Sequence, residues 1–285
     1  MAKSIRDIKR RIRSINGTMK ITSAMELVSS AKLVKARERL IRTRPYYSTV
    51  HRNFKETCSA LNKTEHPLLK EREIHSSLYI IISDDRGLAG GYNNNIARLV
   101  EDEIKKTGNR ADLILIGSKA IDYFQKEKYK IVEKFTGITE EPDFKDAETI
   151  SYKALDLYEN NWVDEIKVAF TRFVNNMHQE PAIVRILPAE PLGEAAAGKQ
   201  IIEFEPSPEA VLDYLIPKYV AGSIYGALVE ASCSEQAART NAMGIATENA
   251  KEMIEELIIT YNRARQTAIT TEITEIVSGS EVLNT

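Results

Sequence analysis

The stretch Ile5-Arg6-Asp7-Ile8-Lys9-Arg10-Arg11-Ile12-Arg13-Ser14-Ile15-Asn16-Gly17-Thr18-Met19 decides the fold. Its apolar residues, Ile5, Ile8, Ile12, Ile15 and Met19, step by alternating threes and fours, the spacing of a coiled-coil seam. Past Met19 the seam turns small and mixed, through Thr22, Ala24, Met25, Leu27, Val28, Ala31 and Val34. The pattern is expected to reach about Thr43 and to kink at Arg44-Pro45, because the residue before a proline disfavours α geometry. It is expected to resume beyond that kink through Phe54 and Leu61.

The other end of the chain carries a matching signal. Ser207-Pro208-Glu209-Ala210 reads as a serine cap with proline at the first helical position. The seam that follows is Ala246, Ala250, Met253, Leu257, Thr260, Ala264, Thr267, Thr271 and Thr274, again in threes and fours. Ile254, Ile258, Tyr261, Ile269, Ile273 and Ile276 widen the apolar face. A helix over about 209–277 is on the order of 100 Å long at 1.5 Å per residue, so it must pair with another helix or enter a partner. Helix breakers agree. All nine prolines lie between Pro45 and Pro217, and the residues after Pro217 hold four glycines. Proline costs a helix interior about 3 kcal/mol and glycine about 1 kcal/mol.

Charge divides the chain in the same way. The 285 residues carry a net charge of −2, from 39 Lys+Arg and 41 Asp+Glu. Residues 1–50 hold 13 basic and 3 acidic side chains, whereas residues 209–285 hold 5 and 11. A basic helix and an acidic helix suit each other as partners, since charges flanking a seam set orientation. The small seam residues bury little area, which implies that walls outside the pair support it. Nucleic-acid binding by the basic end is disfavoured, because stacking aromatics are nearly missing from it and the total charge is negative. A cleaved presequence is disfavoured because the heptad runs past targeting length without a processing signal. No apolar run approaches a membrane span. Cys58 and Cys233 form no framework, and a reducing compartment is expected.

Between the helices the pattern is α/β. Residues 77–83 and 112–117 are short buried-strand runs, and 165–174, 182–188 and 200–204 read as further strands. Helical patterns cover 94–106, 118–127 and 146–160. The stretch Asp84-Asp85-Arg86-Gly87-Leu88-Ala89-Gly90-Gly91 follows the first strand and offers the strongest phosphate-binding signal. It is neither a dinucleotide fingerprint nor a P-loop, as no Gly-Lys-Ser/Thr follows. We read Gly87, Gly90 and Gly91 as a structural βα turn needing glycine's backbone freedom. Asp84 and Asp85, pointing opposite ways from a strand end, read as loop-solvating or capping groups. The four histidines make no zinc spacing, no nucleophile elbow occurs, and no cofactor or catalytic residue is indicated.

Four stretches carry a resemblance. Residues 15–35 resemble the N-terminal helix of the γ subunit family of F-type ATP synthases. Residues 83–93 are similar to that family's central loop, with one additional Asp and with Ala89 where Cys is common. Residues 234–243 and 261–279 are similar to its C-terminal signature. The match is collinear over essentially the whole chain. The resemblance implies a long antiparallel coiled coil of both terminal helices plus a central α/β, Rossmann-like domain. It divides the chain at 1–60, 75–205 and 207–285. It implies a non-catalytic central rotor stalk, in single copy, that couples ion-driven rotation of a membrane c ring to conformational cycling of catalytic β subunits. The implied partners are three α and three β subunits, an ε subunit and the c ring, with no nucleic acid and no cofactor. Met25, Arg265, Gln266, Thr270 and Glu272 match positions that contact β, and Glu205 matches the foot facing the c ring. Lack of a paired-cysteine insert argues against thiol regulation, and lack of a transit peptide favours the cytoplasmic face of a bacterial membrane.

Overall fold

A computed structural model describes residues 5–60, 72–189 and 208–283. Its elements are α1 (Ile5–Ala60), β1 (Ser76–Ile82), α2 (Tyr92–Thr107), β2 (Arg110–Ile116), α3 (Ser118–Phe124), β3 (Lys130–Phe135), α4 (Phe144–Glu159), β4 (Glu165–Phe173), β5 (Gln179–Leu187) and α5 (Pro208–Leu283). They fall into two compact units, Met1–Val28 with Thr240–Thr285, and Ser29–Arg239.

The larger unit is built on a five-stranded sheet in the order β3-β2-β1-β4-β5. Strands β1 to β4 run parallel and β5 is antiparallel on the edge beside β4. Central β1 is paired on both sides, with Leu78 between Asp112 and Ile166. Such a strand is expected to be apolar throughout, since helices cover both faces. Leu78, Ile80 and Ile82 join α4 and the parts of α1 and α5 that belong to this unit, through Ala154, Phe54 and Ile224. Tyr79 and Ile81 face α2 and α3, through Ile96, Val100 and Phe124. The strict alternation of neighbours on β1 follows from the period of two.

The helices of this unit approach closely. A β-carbon placed on Gly226 would lie 2.8 Å from Cδ2 of Tyr47. Next to it, His51 lies between Tyr47 and Tyr219, tilted by 55° and 54° with each centroid 4.6 Å away, and Phe54 stacks on Tyr219 at 4.0 Å. This aromatic packing is where α1 carries Pro45 in its interior. The helix resumes past Arg44-Pro45 as expected and is continuous through it. Burial of Tyr47 and Phe54 against α5 outweighs the one backbone bond that proline removes. Pro217 likewise lies inside α5, among buried Leu212, Ile216 and Tyr219.

The smaller unit is the coiled coil. Thr247 Oγ1 donates to Thr22 Oγ1 at 2.9 Å, and Gly244 faces Glu26, so register falls on one helix as it rises on the other. The helices are antiparallel. Ile8 is buried, and Ile5, Ile12, Ile15 and Met19 are half-buried, as their spacing predicts. On α5 the inward positions are Met243, Thr247, Ala250, Ile254, Leu257, Tyr261 and Ala264. Met253 and Thr260 of the expected seam are instead exposed, each lying one residue off the inward stripe. Thr267, Thr271 and Thr274 are also exposed, because no described residue of this unit covers α5 past Ala264.

One strand was not foreseen in the sequence. Strand β3 carries no apolar run, as Lys130, Glu133 and Lys134 interrupt it, yet its pairing with β2 makes it a strand. It is an edge strand, exposed or half-buried along its length, so polar residues are tolerated there. The strand expected at 200–204 and the cap at Ser207 lie outside the described residues.

Candidate functional site

In open α/β sheets ligands bind beyond the carboxyl ends of the strands, where the strand order reverses. Here that point lies between β1 and β4, because β2 and β3 follow on one side and β4 on the other. The glycine loop sits there. Gly87 and Gly90 have φ of +81° and +59°, so both use glycine's freedom; Gly91 is helical and does not. Leu88 also adopts a left-handed φ of +60° and is exposed.

The loop amides that would hold a phosphate are already engaged. Asp84 Oδ1 accepts from Arg86 N at 2.7 Å, and Oδ2 accepts from Gly87 N at 2.6 Å. Asp84 is thus the loop's own anion. Its counter-charge is Arg239 of α5, whose Nη2 lies 2.5 Å from Asp84 Oδ2. Arg239 Nε also donates to Gly87 O at 3.2 Å, and Nη1 pairs with Glu235 Oε1 at 2.8 Å. All three charged side chains are buried. Ser234 Oγ donates to Thr171 O of β4 at 2.9 Å, which lays this turn of α5 across the ends of both strands. The switch point is filled by the protein itself.

Asp85 performs the neighbouring task. It accepts from Ser118 N at 2.9 Å and from Ser118 Oγ at 3.0 Å, at the start of α3. Its other oxygen accepts from Gly137 N and Thr139 Oγ1. The two aspartates do point opposite ways, and Asp85 caps a helix as its residue type allows. Asp84 departs from the expectation of a solvated carboxylate, since Arg239 compensates its burial. A further ring surrounds this centre. Glu140 pairs with Lys32 of α1 and with Arg86, whose Nη2 lies at 2.8 Å. Burial, then Arg86, lowers the Lys32 pKa. Burial, then Asp84, pushes Glu235 up to about 7 against the pull of Arg239.

Of the residues expected to meet partners, Met25 is half-buried in the coiled coil, whereas Arg265, Gln266, Thr270 and Glu272 are exposed on α5. Gln266 and Thr270, one turn apart, line a shallow depression of about 430 Å³ with Arg263, Thr267, Thr271, Thr274 and Glu275. Arg265 and Glu272, two turns apart on another face, do not line it. Between them Ile269, Ile273 and Ile276 are exposed. The threonine hydroxyls donate back to carbonyls one turn earlier, Thr270 to Gln266 O and Thr274 to Thr270 O, both under 3.0 Å. Their methyl groups are left for an outside surface. Glu205 lies outside the described residues. Sequence reasoning missed the roles of Glu235 and Arg239. The available signal was two charged residues set in the alanine-rich run 231–242.

Among the described residues there is no group of His, Cys, Asp and Glu arranged to hold a metal, and no helix long and apolar enough to cross a membrane. Fold and site together define a coiled-coil protein with an α/β domain whose nucleotide-type crevice is plugged by its own C-terminal helix. Residues 4–283 match the family described as ATP synthase. A relative from Alkaliphilus metalliredigens, named ATP synthase gamma chain, is 46% identical, covering 99% of this chain and 100% of that one. The sodium ion specific gamma chain of Acetobacterium woodii is 40% identical over 100% of both. Among solved structures, a chain of the Euglena gracilis mitochondrial ATP synthase has the same fold, with a TM-score of 0.73 and 21% identity, covering 98% of this chain and 94% of that one. This chain belongs to the ATP synthase gamma-chain family.

Proposed function

We propose that the chain is the non-catalytic central shaft of an F-type ATP synthase, with residues 1–60 and 207–285 as the shaft and 75–205 as the body. A c ring turns it, and it turns within a hexamer of three α and three β subunits, with an ε subunit at the body. Each orientation of an asymmetric shaft fits one β conformation best, and that differential contact biases the β sites apart. The observation that carries the non-catalytic reading is the engagement of the loop amides of Arg86 and Gly87 by Asp84. No backbone donor of that pair is left for a phosphate, and the positive charge a phosphate would seek, on Arg239, is already neutralised by Asp84.

The exposed end of α5 supports the shaft reading. Isoleucines flanked by Gln266 and Thr270 on one side and Arg265 and Glu272 on the other form a face that needs a wall. We assign those four polar residues and Met25 to β contacts, and Glu205 to the c-ring foot. The complex sits on the cytoplasmic face of a bacterial membrane, with this chain as a peripheral subunit.

Reconstitution tests this reading. The purified chain is expected to turn over no ATP alone, and to stimulate hydrolysis when mixed with α and β subunits. Saturable ATP turnover by the isolated chain, or failure to co-assemble, would overturn it.

A further inference from the structure

Arg239 is one guanidinium between two buried carboxylates, Asp84 and Glu235. With both ionised, the trio carries an uncompensated negative charge out of water, which is costly. Glu235 Oε1 accepts twice, from Arg239 and from Gln236 Nε2, while buried Oε2 has no hydrogen-bond partner. A carboxylate oxygen in that position forfeits its hydration, whereas a carboxyl O–H there has an acceptor beside it in Asp84. The other groups facing Glu235 are Tyr92 of α2 and Lys32 of α1. Burial, then the charge of Glu235, raises the Tyr92 pKa well above its usual value, so Tyr92 supplies no charge.

We propose that Glu235 is a positioning residue whose proton sets how firmly Arg239 holds the glycine loop. As the neutral acid it donates its hydrogen to Asp84 and leaves the guanidinium to pin the loop. On ionisation that proton goes to water, and Glu235 competes with Asp84 for the same guanidinium. Glu235 touches no reacting group and acts through Arg239.

The sign follows from the shifted titration. Burial and Asp84 raise Glu235 from 4.5 to about 7, so the closed pin holds a proton that the opened pin releases. The pin is tightest below the ordinary 4.5 and loosens as pH rises through about 7.

Hydrogen exchange in the full chain tests this. The amides of Arg86 and Gly87 report the pin directly, because both bond to Asp84. After correction for intrinsic base catalysis, their protection is expected to fall about tenfold between pH 6 and pH 8. In Glu235→Gln, which cannot ionise, it is expected to stay flat. Equal slopes in the two proteins, or no slope in the wild type, would overturn the proposal. Where Glu235→Gln does not fold, infrared spectra of the carboxyl-labelled wild type decide. A protonated carboxyl band at pH 6 that is lost at pH 8 supports the proposal, and no such band at pH 6 overturns it.

Discussion

Arg239 Nη2 and Asp84 Oδ2 meet at 2.5 Å although 155 positions separate them in the chain. Both side chains are almost wholly buried. Removing one partner of such a pair strands the other's charge and costs about 3–5 kcal/mol. Arg239→Met and Asp84→Asn are each expected to destabilise the chain by that order. The double variant should lose clearly less than the two losses added, since Asp84 is then neutral and only Glu235 is left without its guanidinium partner. Urea unfolding of the four proteins measures this, and additive losses would mean that the two residues act independently.

Two glycines in helices should respond in opposite directions. Gly226 has Tyr47 ring atoms within 2.8–3.1 Å of where a β-carbon would sit. Gly226→Ala should cost about 1–3 kcal/mol, because His51, itself held against Tyr219, limits how far the Tyr47 ring can move. Gly17 has open space around it and ordinary helical φ. Gly17→Ala should stabilise the isolated chain by about 0.4–1 kcal/mol, by reducing the freedom of the unfolded state. Thermal melts of both variants check the contrast.

How far these features could be read in the sequence depends on range. The seam of Ile5, Ile8, Ile12, Ile15 and Met19 is local, and so is the apolar run of β1; both were legible because burial writes itself into short-range periodicity. The choice between Met253 and Ile254 was not, since both are apolar and only the facing helix decides which turns inward. Strand β3 hid because an edge strand needs no apolar run; its identity comes from pairing with β2. The turn role of Gly87 was legible from glycine alone. The Asp84–Arg239 pair was not, because no local pattern links two charges brought together only by folding.

Acid stability should hinge on Asp112. Its carboxyl is buried, and burial alone would raise its pKa, but hydrogen bonds from Arg110 and Lys130 hold it below the usual 3.8. A depressed native value means that the carboxylate stabilises the fold above that pH, and that the contribution is lost as pH falls through and below it. Asp112→Asn should therefore be less stable than wild type at pH 6, and the gap should close toward pH 3. Denaturant midpoints across that range provide the measurement; a gap that widens in acid would contradict the assignment.

Both thiols should be silent in the folded chain. Burial pushes Cys58 and Cys233 each up to about 12, so almost no thiolate forms at neutral pH. Thiolate is the reacting species, and access is blocked as well. A maleimide reagent at pH 7 should label neither until urea unfolds the protein, and mass spectrometry of each cysteine peptide reads the result.

The exposed end of α5 separates stability from coupling. Gln266 and Thr270 line one depression, and both are exposed among the described residues. Gln266→Ala should therefore leave the melting of the isolated chain within about 0.5 kcal/mol of wild type. In a reconstituted complex the same change should lower coupled ATP hydrolysis, since a polar group lost from a buried contact leaves its partner unsatisfied at about 1–3 kcal/mol. Arg265→Ala lies on the other face and tests whether both flanks of the isoleucine stripe engage a wall. A loss with Gln266→Ala but none with Arg265→Ala would place the wall on the threonine side. Losses with both would mean that the stripe is gripped from two sides, which is the arrangement that lets a turning helix push on its surroundings.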